Sequence, residues 1–284
     1  MQTPPPSYQS NLLTILKDYV NRFLRGELHL PPWWLRDVGG TDFAATGQEF
    51  LKLFIQIGHL QPDERILEIG CGSGRMAIPL TRYVSPAGAY TGIDIVQRSI
   101  VWCQRNISRR SPNFSFLHAD LYNERYNPTG CHQARDYTFP FKDGSFDFIF
   151  LTSVFTHLLP EDAEHYLSEI ARLLRRNGRG FLTCFLLNET QRALASQGRN
   201  DIDFKYGTAT YRMRDKAIPE SAVAYDEGRL LQQLSEHGLE LCAPIHYGTW
   251  SGRDEGLSYQ DILLLRLEES KIKNDPGGTL IWMH

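Results

Sequence analysis

The chain has 284 residues, enough to bury a substantial core as one decorated domain. Lys plus Arg total 30 against 33 acids, a formal net charge of −3, and charges of both signs are interspersed, so nothing asks for a polyanionic partner such as nucleic acid. No stretch approaches the roughly 20 apolar residues of a membrane span, Met1-Gln-Thr-Pro-Pro-Pro6 does not open a leader pattern, and the five scattered cysteines have neither disulfide-framework nor zinc spacing.

In chain order, helical patterns cover Asn11–Leu24 and Gly47–Ile57. Between them lies His29-Leu-Pro-Pro-Trp-Trp-Leu-Arg-Asp-Val-Gly-Gly40, too aromatic for a linker. Residues 1–58 are read as an N-terminal helical cap. Either it folds across a ligand, bringing Trp33, Trp34, Phe43 or Gly47 close, or its aromatics pack on a sheet edge. Residues 59–284 are read as the main α/β domain. Its first strand, Arg65-Ile-Leu-Glu-Ile69, runs straight into Gly70-Cys-Gly-Ser-Gly74. Glycines here let the backbone turn sharply and approach a ligand closely, at the carboxyl end of a strand where open α/β sheets bind ligands.

Spacing and charge separate this loop from a dinucleotide loop. A nicotinamide fingerprint, G-x-G-x-x-G, presents helix amides to pyrophosphate. Here the third glycine comes one residue early, Arg75 stands where it was due, and Glu68 precedes the turn. A carboxylate in that place repels pyrophosphate and suits a cation. A short helix, Arg75 to about Val84, follows, with Pro79 bending its first turns, and Ser85-Pro-Ala-Gly88 breaks the chain. Ala89–Asp94 reads as a second strand ending in an acid twenty residues after Gly74, where a carboxylate can accept both hydroxyls of a ribose or simply cap the next helix.

Asn113–Asp120 alternates as a third strand and again ends in an acid, and Gly144–Leu151 is a nearly all-apolar fourth, with Asp147 inside it in a structural place. Thr152-Ser-Val-Phe-Thr-His157 follows directly. Pro160–Gly178 reads as a helix with acids in its first turn, arginines in its last and Asn177-Gly178 as its stop. Gly180–Leu187 is the fifth strand, Tyr225–His237 a last helix, and Leu239–Tyr247 and Tyr259–Leu267 a closing hairpin. Two insertions, at about 121–140 and 188–224, leave the carboxyl edge of the sheet. The turn Gly248–Gly256 opens on the same edge, so Trp250 and Arg253 either reach a ligand or pack a surface turn.

Leu67-Glu-Ile-Gly-Cys-Gly-Ser-Gly74, with the acids and strands downstream, resembles the class I S-adenosylmethionine-dependent methyltransferases, firmly over about 60–190 and loosely over the C-terminal hairpin. The resemblance implies a Rossmann-like, seven-stranded, mostly parallel sheet with an antiparallel last strand, helices on both faces and the helical cap added. It implies S-adenosyl-L-methionine as methyl donor and S-adenosyl-L-homocysteine as product. Glu68, Gly70, Cys71, Gly72, Gly74, Asp94, Ile95, Asp120, Leu121 and Thr152 become the cofactor-binding set. Asp94 takes the ribose, Asp120 receives the adenine amino group or holds the loop that does, and Thr152 and Ser153 border the methionine moiety. The insertions become walls of an acceptor pocket, and His157 a candidate general base, against a histidine that merely packs the helix after it.

Acceptor classes are narrowed by what is missing. No Asn-Pro-Pro-Tyr or Asp-Pro-Pro-Tyr follows the fourth strand, no Pro-Cys supplies a cytosine nucleophile, and no acid cluster offers a metal site. The expectation is a cytoplasmic enzyme, monomer or homodimer, without metal, that O-methylates a small-molecule acceptor. N-methylation, a non-catalytic cofactor-binding relative, and a nicotinamide dehydrogenase stay open.

Overall fold

The computed structural model describes residues 12–36 and 42–268. Asn11 and the Asp37–Gly40 end of the aromatic segment lie outside them. Helix α1 (Leu12–Leu24) leads into a short turn at Trp33–Leu35 and then α2 (Phe43–Gln56). The central elements follow as β1 (Arg65–Ile69), α3 (Ala77–Leu80), β2 (Ala89–Asp94), α4 (Gln97–Cys103), β3 (Phe114–His118), β4 (Phe146–Leu151), α5 (Pro160–Leu173) and β5 (Leu174–Cys184). Next come β6 (Leu186–Leu187), α6 (Glu189–Ser196), β7 (Tyr206–Gly207), β8 (Tyr211–Met213), β9 (Val223–Asp226), α7 (Glu227–Glu236), β10 (Leu239–Leu241) and β11 (Asp261–Leu267).

Seven strands form one sheet in the order β10-β11-β5-β4-β1-β2-β3. From β5 to β3 neighbouring strands run parallel, while β11 lies antiparallel between β5 and β10. This is the expected mostly parallel sheet with an antiparallel last strand. The chain winds outward through β2 and β3, then returns to the other side of β1 through β4. The carboxyl ends of β1 and β4 therefore flank a topological switch point, where a crevice opens in sheets of this kind.

Alternation along the strands feeds two cores, one on each face of the sheet. Leu67, Ile149 and Leu151 pack with Tyr166, Leu167 and Ile170 of α5 and with Leu230 and Leu234 of α7. On the other face Ile66, Tyr90, Phe148 and Phe150 meet Phe50, Leu53 and Phe54 of α2 and Ile100 and Cys103 of α4. Phe54 is fully buried there, its ring 4.4 Å from that of Phe150 and 4.9 Å from that of Phe181. On α1, by contrast, Leu12, Leu16, Phe23 and Leu24 are exposed, and its buried residue is Asp18, which pairs with Arg22 at 2.7 Å and accepts from the Trp33 amide.

Several boundaries differ from those read in the sequence. Helix α2 starts four residues before Gly47, because the Asp42 carboxylate accepts from the amides of Ala44 and Ala45 and caps it. Helix α3 is one turn rather than a run from Arg75 to Val84, as expected of a chain whose Pro79 has no amide to donate. Helix α5 ends at Leu173, not at Gly178: Leu174 is drawn into the sheet opposite Phe146, and Arg175 pairs with Asp147 at 2.6 Å. Asp147 also accepts from the Arg65 amide, the structural place read for it. The sixth strand stops at Leu241, since Pro244 cannot join a ladder, and only His246 bridges again to Ile262. The last helix starts at Glu227 because Asp226 caps it after ending β9.

The second insertion builds structure that the sequence pattern did not announce. Strands β6, β9, β8 and β7 make a separate four-stranded sheet beside the carboxyl edge of the main one. Beneath it lies a small third core of Phe185, Leu187, Phe204, Ala222, Ala224 and Trp250. Trp250 is fully buried and donates its indole N–H to Asp261 at 2.8 Å, so the packing alternative holds for it. Arg253 stacks over the Tyr247 ring. None of the described helices is long and apolar enough to cross a membrane.

Phe54→Ala removes a fully enclosed ring at the junction of α2 and the sheet. It is expected to cost about 3–5 kcal/mol of folding stability, read as a lowered urea midpoint; a loss below 1 kcal/mol would contradict the packing described.

Candidate functional site

The switch point opens into a cavity of about 910 Å³ lined by the glycine loop, the ends of β2 and β4, the cap and both insertions. This lies within the roughly 300–1,000 Å³ range of small-molecule sites. The loop itself is shaped by backbone constraint. Gly70 has φ +83° and a Cβ there would collide with the Val154 side chain, whereas a Cβ on Gly72, at φ +49°, would meet no protein atom within 4 Å. Gly70 is thus required by the protein's own packing, and Gly72 leaves its side of the loop clear. Gly74 does not border the cavity; a side chain at its Cα would press on Ile107 and Cys103 beneath it.

Asp94 ties this loop to the next strand. One carboxylate oxygen accepts from the Gly72 amide and the other from the Val96 amide, both at 2.7 Å. Each oxygen keeps a second lone pair for a ligand. Burial pushes the Asp94 carboxyl up, and the two amide bonds oppose that shift. Glu68 lies on the cavity floor, 2 % exposed. Tyr90 donates its hydroxyl to Glu68 Oε2. Burial pushes the Glu68 carboxyl up to about 8, against the pull of the Tyr90 hydrogen bond and of nearby Arg75.

Cys71, Ile95, Leu121 and Thr152 all line the cavity, as do Leu35, Arg36 and Phe43 of the cap. The cap is pinned there by Ser73, whose hydroxyl donates to the Leu35 carbonyl at 2.6 Å. Trp33 and Trp34 stack edge to face on each other and do not border the cavity. Gly47 lets α2 close on the Arg75 carbonyl. Asp120 is likewise absent from the lining. Its side chain accepts from Asn127 Nδ2 at 3.2 Å, its backbone carbonyl accepts from the amides of Cys131 and His132, and hydrogen bonds from Cys131 and then Asn127 hold its carboxyl low. Asp120 thus braces the loop of residues 121–132.

Beyond the loop, Ser153 takes φ +60°, uncommon for a residue with a side chain. Its amide donates to Thr183 Oγ1 at 2.8 Å and its hydroxyl to Gln260 at 3.2 Å. His157 lines the far end, partly buried, its ring edge-on to Tyr126 at 5.6 Å. Nδ1 lies 2.8 Å from the Glu220 carbonyl, so Nδ1 carries the proton and Nε2 the lone pair. Desolvation lowers its pKa to about 4, with the Glu220 bond opposing and Arg125 and Arg214 adding to the shift. Arg125 and Tyr126 from the first insertion, and Arg214, Ile218 and Ser221 from the second, complete this end. Sequence reading placed the walls, with Tyr126 among them, but did not single out Arg125, Arg214, Ile218 or Ser221, whose loops carry no periodic signal. Among the described residues, no group of three His, Cys, Asp or Glu side chains is placed to share a metal ion.

Residues 67–182 match the family model described as a methyltransferase domain. Over that span the chain is similar to methyltransferase domains. A phthiotriol/phenolphthiotriol dimycocerosates methyltransferase of Mycobacterium ulcerans is 33 % identical over 115 residues, 40 % of this chain and 35 % of that protein. A tRNA N(3)-cytidine methyltransferase of Gallus gallus is 30 % identical over 122 residues, 40 % of this chain and 28 % of its own. The chain thus spans about a third of the length of these curated relatives. In fold it is similar to the PH0226 protein of Pyrococcus horikoshii, with a TM-score of 0.56 and 14 % identity over 82 % of this chain and 94 % of that one.

Class I methyltransferase domains use S-adenosylmethionine, and the donor set fits that molecule. Acids face the loop where a pyrophosphate would need amides and cations, Asp94 offers lone pairs suited to a ribose, and Gly72 leaves the space beside it open. Because Glu68 holds its proton up to about pH 8 when folded but releases it near 4.5 when unfolded, the folded state binds more protons between those values. Folding stability should therefore fall as pH rises through that window, by at most about 1.4 kcal/mol per pH unit. Urea midpoints from pH 5 to 8 should decline less steeply for Glu68→Gln than for wild type; parallel slopes would show that Glu68 is ionised in the fold.

Proposed function

We propose that the chain is an S-adenosylmethionine-dependent methyltransferase that methylates a hydroxyl group of a small molecule. The observation that carries this reading is that the glycine loop, Asp94 and His157 share one cavity whose outer end is walled by both insertions. A walled cavity with aromatic lining favours a compact acceptor over a nucleic-acid strand, as does the near balance of charge. S-adenosylmethionine supplies a methyl group on a sulfonium, an electrophile that needs no further activation.

The chain's own part is to hold, align and take a proton. Glu68, Asp94 and the loop hold the donor, with Ile95 and Leu121 as apolar flanks and Thr152 toward β4. The insertions exclude water from the acceptor. His157 accepts the hydroxyl proton on Nε2, while its Nδ1–H stays on the Glu220 carbonyl and fixes the ring. With its pKa lowered to about 4, the imidazole is neutral and able to accept at any physiological pH.

Calorimetric titration with S-adenosylhomocysteine, with NADH in parallel, tests the donor. The thioether should bind, and Asp94→Ala should weaken it about 10- to 100-fold, the 1–3 kcal/mol of lost charge-assisted hydrogen bonds; binding of NADH instead would overturn the reading. His157→Gln should retain that binding yet lower turnover of a hydroxylated acceptor by about 10²–10⁴. The acid limb of kcat/KM should lie near pH 4. A limb at about pH 6.5, the ordinary imidazole value, would show that the ring is not desolvated as described, and unchanged turnover in His157→Gln would remove His157 from the chemistry.

A further inference from the structure

The acceptor end carries two guanidinium groups that donor binding does not use. Arg125 enters from the first insertion and Arg214 from the second, immediately after β8, and both line the cavity around His157. They are the charged side chains that bear on the imidazole from outside its own loop. Three arginines of α5 and β5 are matched by carboxylates: Arg172 by Glu169 and Asp143, Arg175 by Asp147, Arg179 by Glu64. Among the described residues, neither Arg125 nor Arg214 has a carboxylate oxygen within ion-pair distance.

Acids are close by but engaged elsewhere. Asp215 accepts from the Ala217 amide at 2.8 Å, and Glu220 accepts through Oε2 from the Glu124 amide at 3.0 Å. Burial raises the Glu220 carboxyl, which weakens it as a counter-charge. Glu124 also lines the cavity, with an exposed side chain. The partner that Arg125 does have is the Tyr126 ring, 5.1 Å away, and this ring is itself edge-on to His157. Two guanidinium groups acting on one imidazole in a shared cavity, next to an aromatic surface, match an oxyanion on a planar body.

We propose that the methyl acceptor carries an oxyanion group, a carboxylate or a phosphate ester, held between Arg125 and Arg214 so that its hydroxyl faces His157. This rests on the methyltransferase reading and names the substrate class of that same site. An anion between the two guanidiniums offsets their field at His157 and strengthens the imidazole as a base once the acceptor is seated. Neutral molecules of equal shape gain neither the grip nor the stronger base.

The test is calorimetric titration of the protein saturated with S-adenosylhomocysteine, using 4-hydroxybenzoate, phenyl phosphate and the neutral methyl 4-hydroxybenzoate. The anions should bind at least about tenfold more tightly than the ester. Arg125→Gln and Arg214→Gln should each weaken the anions by about tenfold or more and leave the ester and S-adenosylhomocysteine unchanged; the preferred anion tells carboxylate from phosphate. Arg214 is exposed, so its variant tests the point even if Arg125→Gln disturbs the first insertion. An ester that binds as well as the anions, or anion binding indifferent to both substitutions, would overturn this proposal while leaving the methyltransferase reading intact. Failure of the wild type to bind S-adenosylhomocysteine would overturn both.

Discussion

The site depends on one carboxylate bridging two strand ends. Asp94 accepts from the Gly72 amide on one side and the Val96 amide on the other. The loop's glycines bring no side-chain packing of their own, while Cys71 is buried in the core and Ser73 bonds the Leu35 carbonyl. The Gly70 and Cys71 amides add bonds to the Ile93 carbonyl, so loop and second strand form one rigid corner. Any acid that serves a ribose here must first serve the backbone, which fixes its oxygens before a ligand arrives and reduces the ordering cost of binding.

Beneath that corner a second polar pair works in the opposite sense. Glu68 and Tyr90 are both fully enclosed; burial raises both, Glu68 raises Tyr90 further, and the Tyr90 hydrogen bond pulls Glu68 back down. A neutral carboxyl sharing a proton with a phenol is tolerable in a dry floor, whereas a bare carboxylate is not. A cationic ligand above it changes that balance, so the floor is arranged to answer the charge of what binds rather than to hold a permanent anion. Arg75, the residue that displaced the third glycine of a dinucleotide loop, belongs to the same electrostatic group.

The strand-and-glycine-loop half of the cavity was legible in the sequence because its constraints are local. Strand, glycine loop and terminal acid follow one another within about thirty residues, and each step has a steric or charge reason that residue type alone reveals. The antiparallel last strand was legible from two apolar runs with no helix between them. What the sequence left dark depends on distant partners. Helix α5 ends where Leu174 finds Phe146 in the sheet, not where Asn177-Gly178 would stop an isolated helix. Trp33 and Trp34, conspicuous in the chain, pack on each other, while the plainer Leu35, Arg36 and Phe43 reach the cavity. Asp94 ends β2, whereas β3 stops at His118 and Asp120 turns to a loop that the pattern could not orient. The small sheet of the second insertion has strands of two to four residues, too short for periodicity to register.

The two insertions touch each other as well as the cavity. Glu220, from the second, receives the Glu124 amide of the first with its side chain and holds His157 with its carbonyl. The outer half of the site is therefore a pair of loops braced on one another and resting on a finished sheet. The seven-strand register of the main sheet does not run through this pair, so its residues are less constrained by that sheet than the glycine loop is. The floor of the cavity is thus as fixed as the sheet that forms it, while its walls answer only to each other.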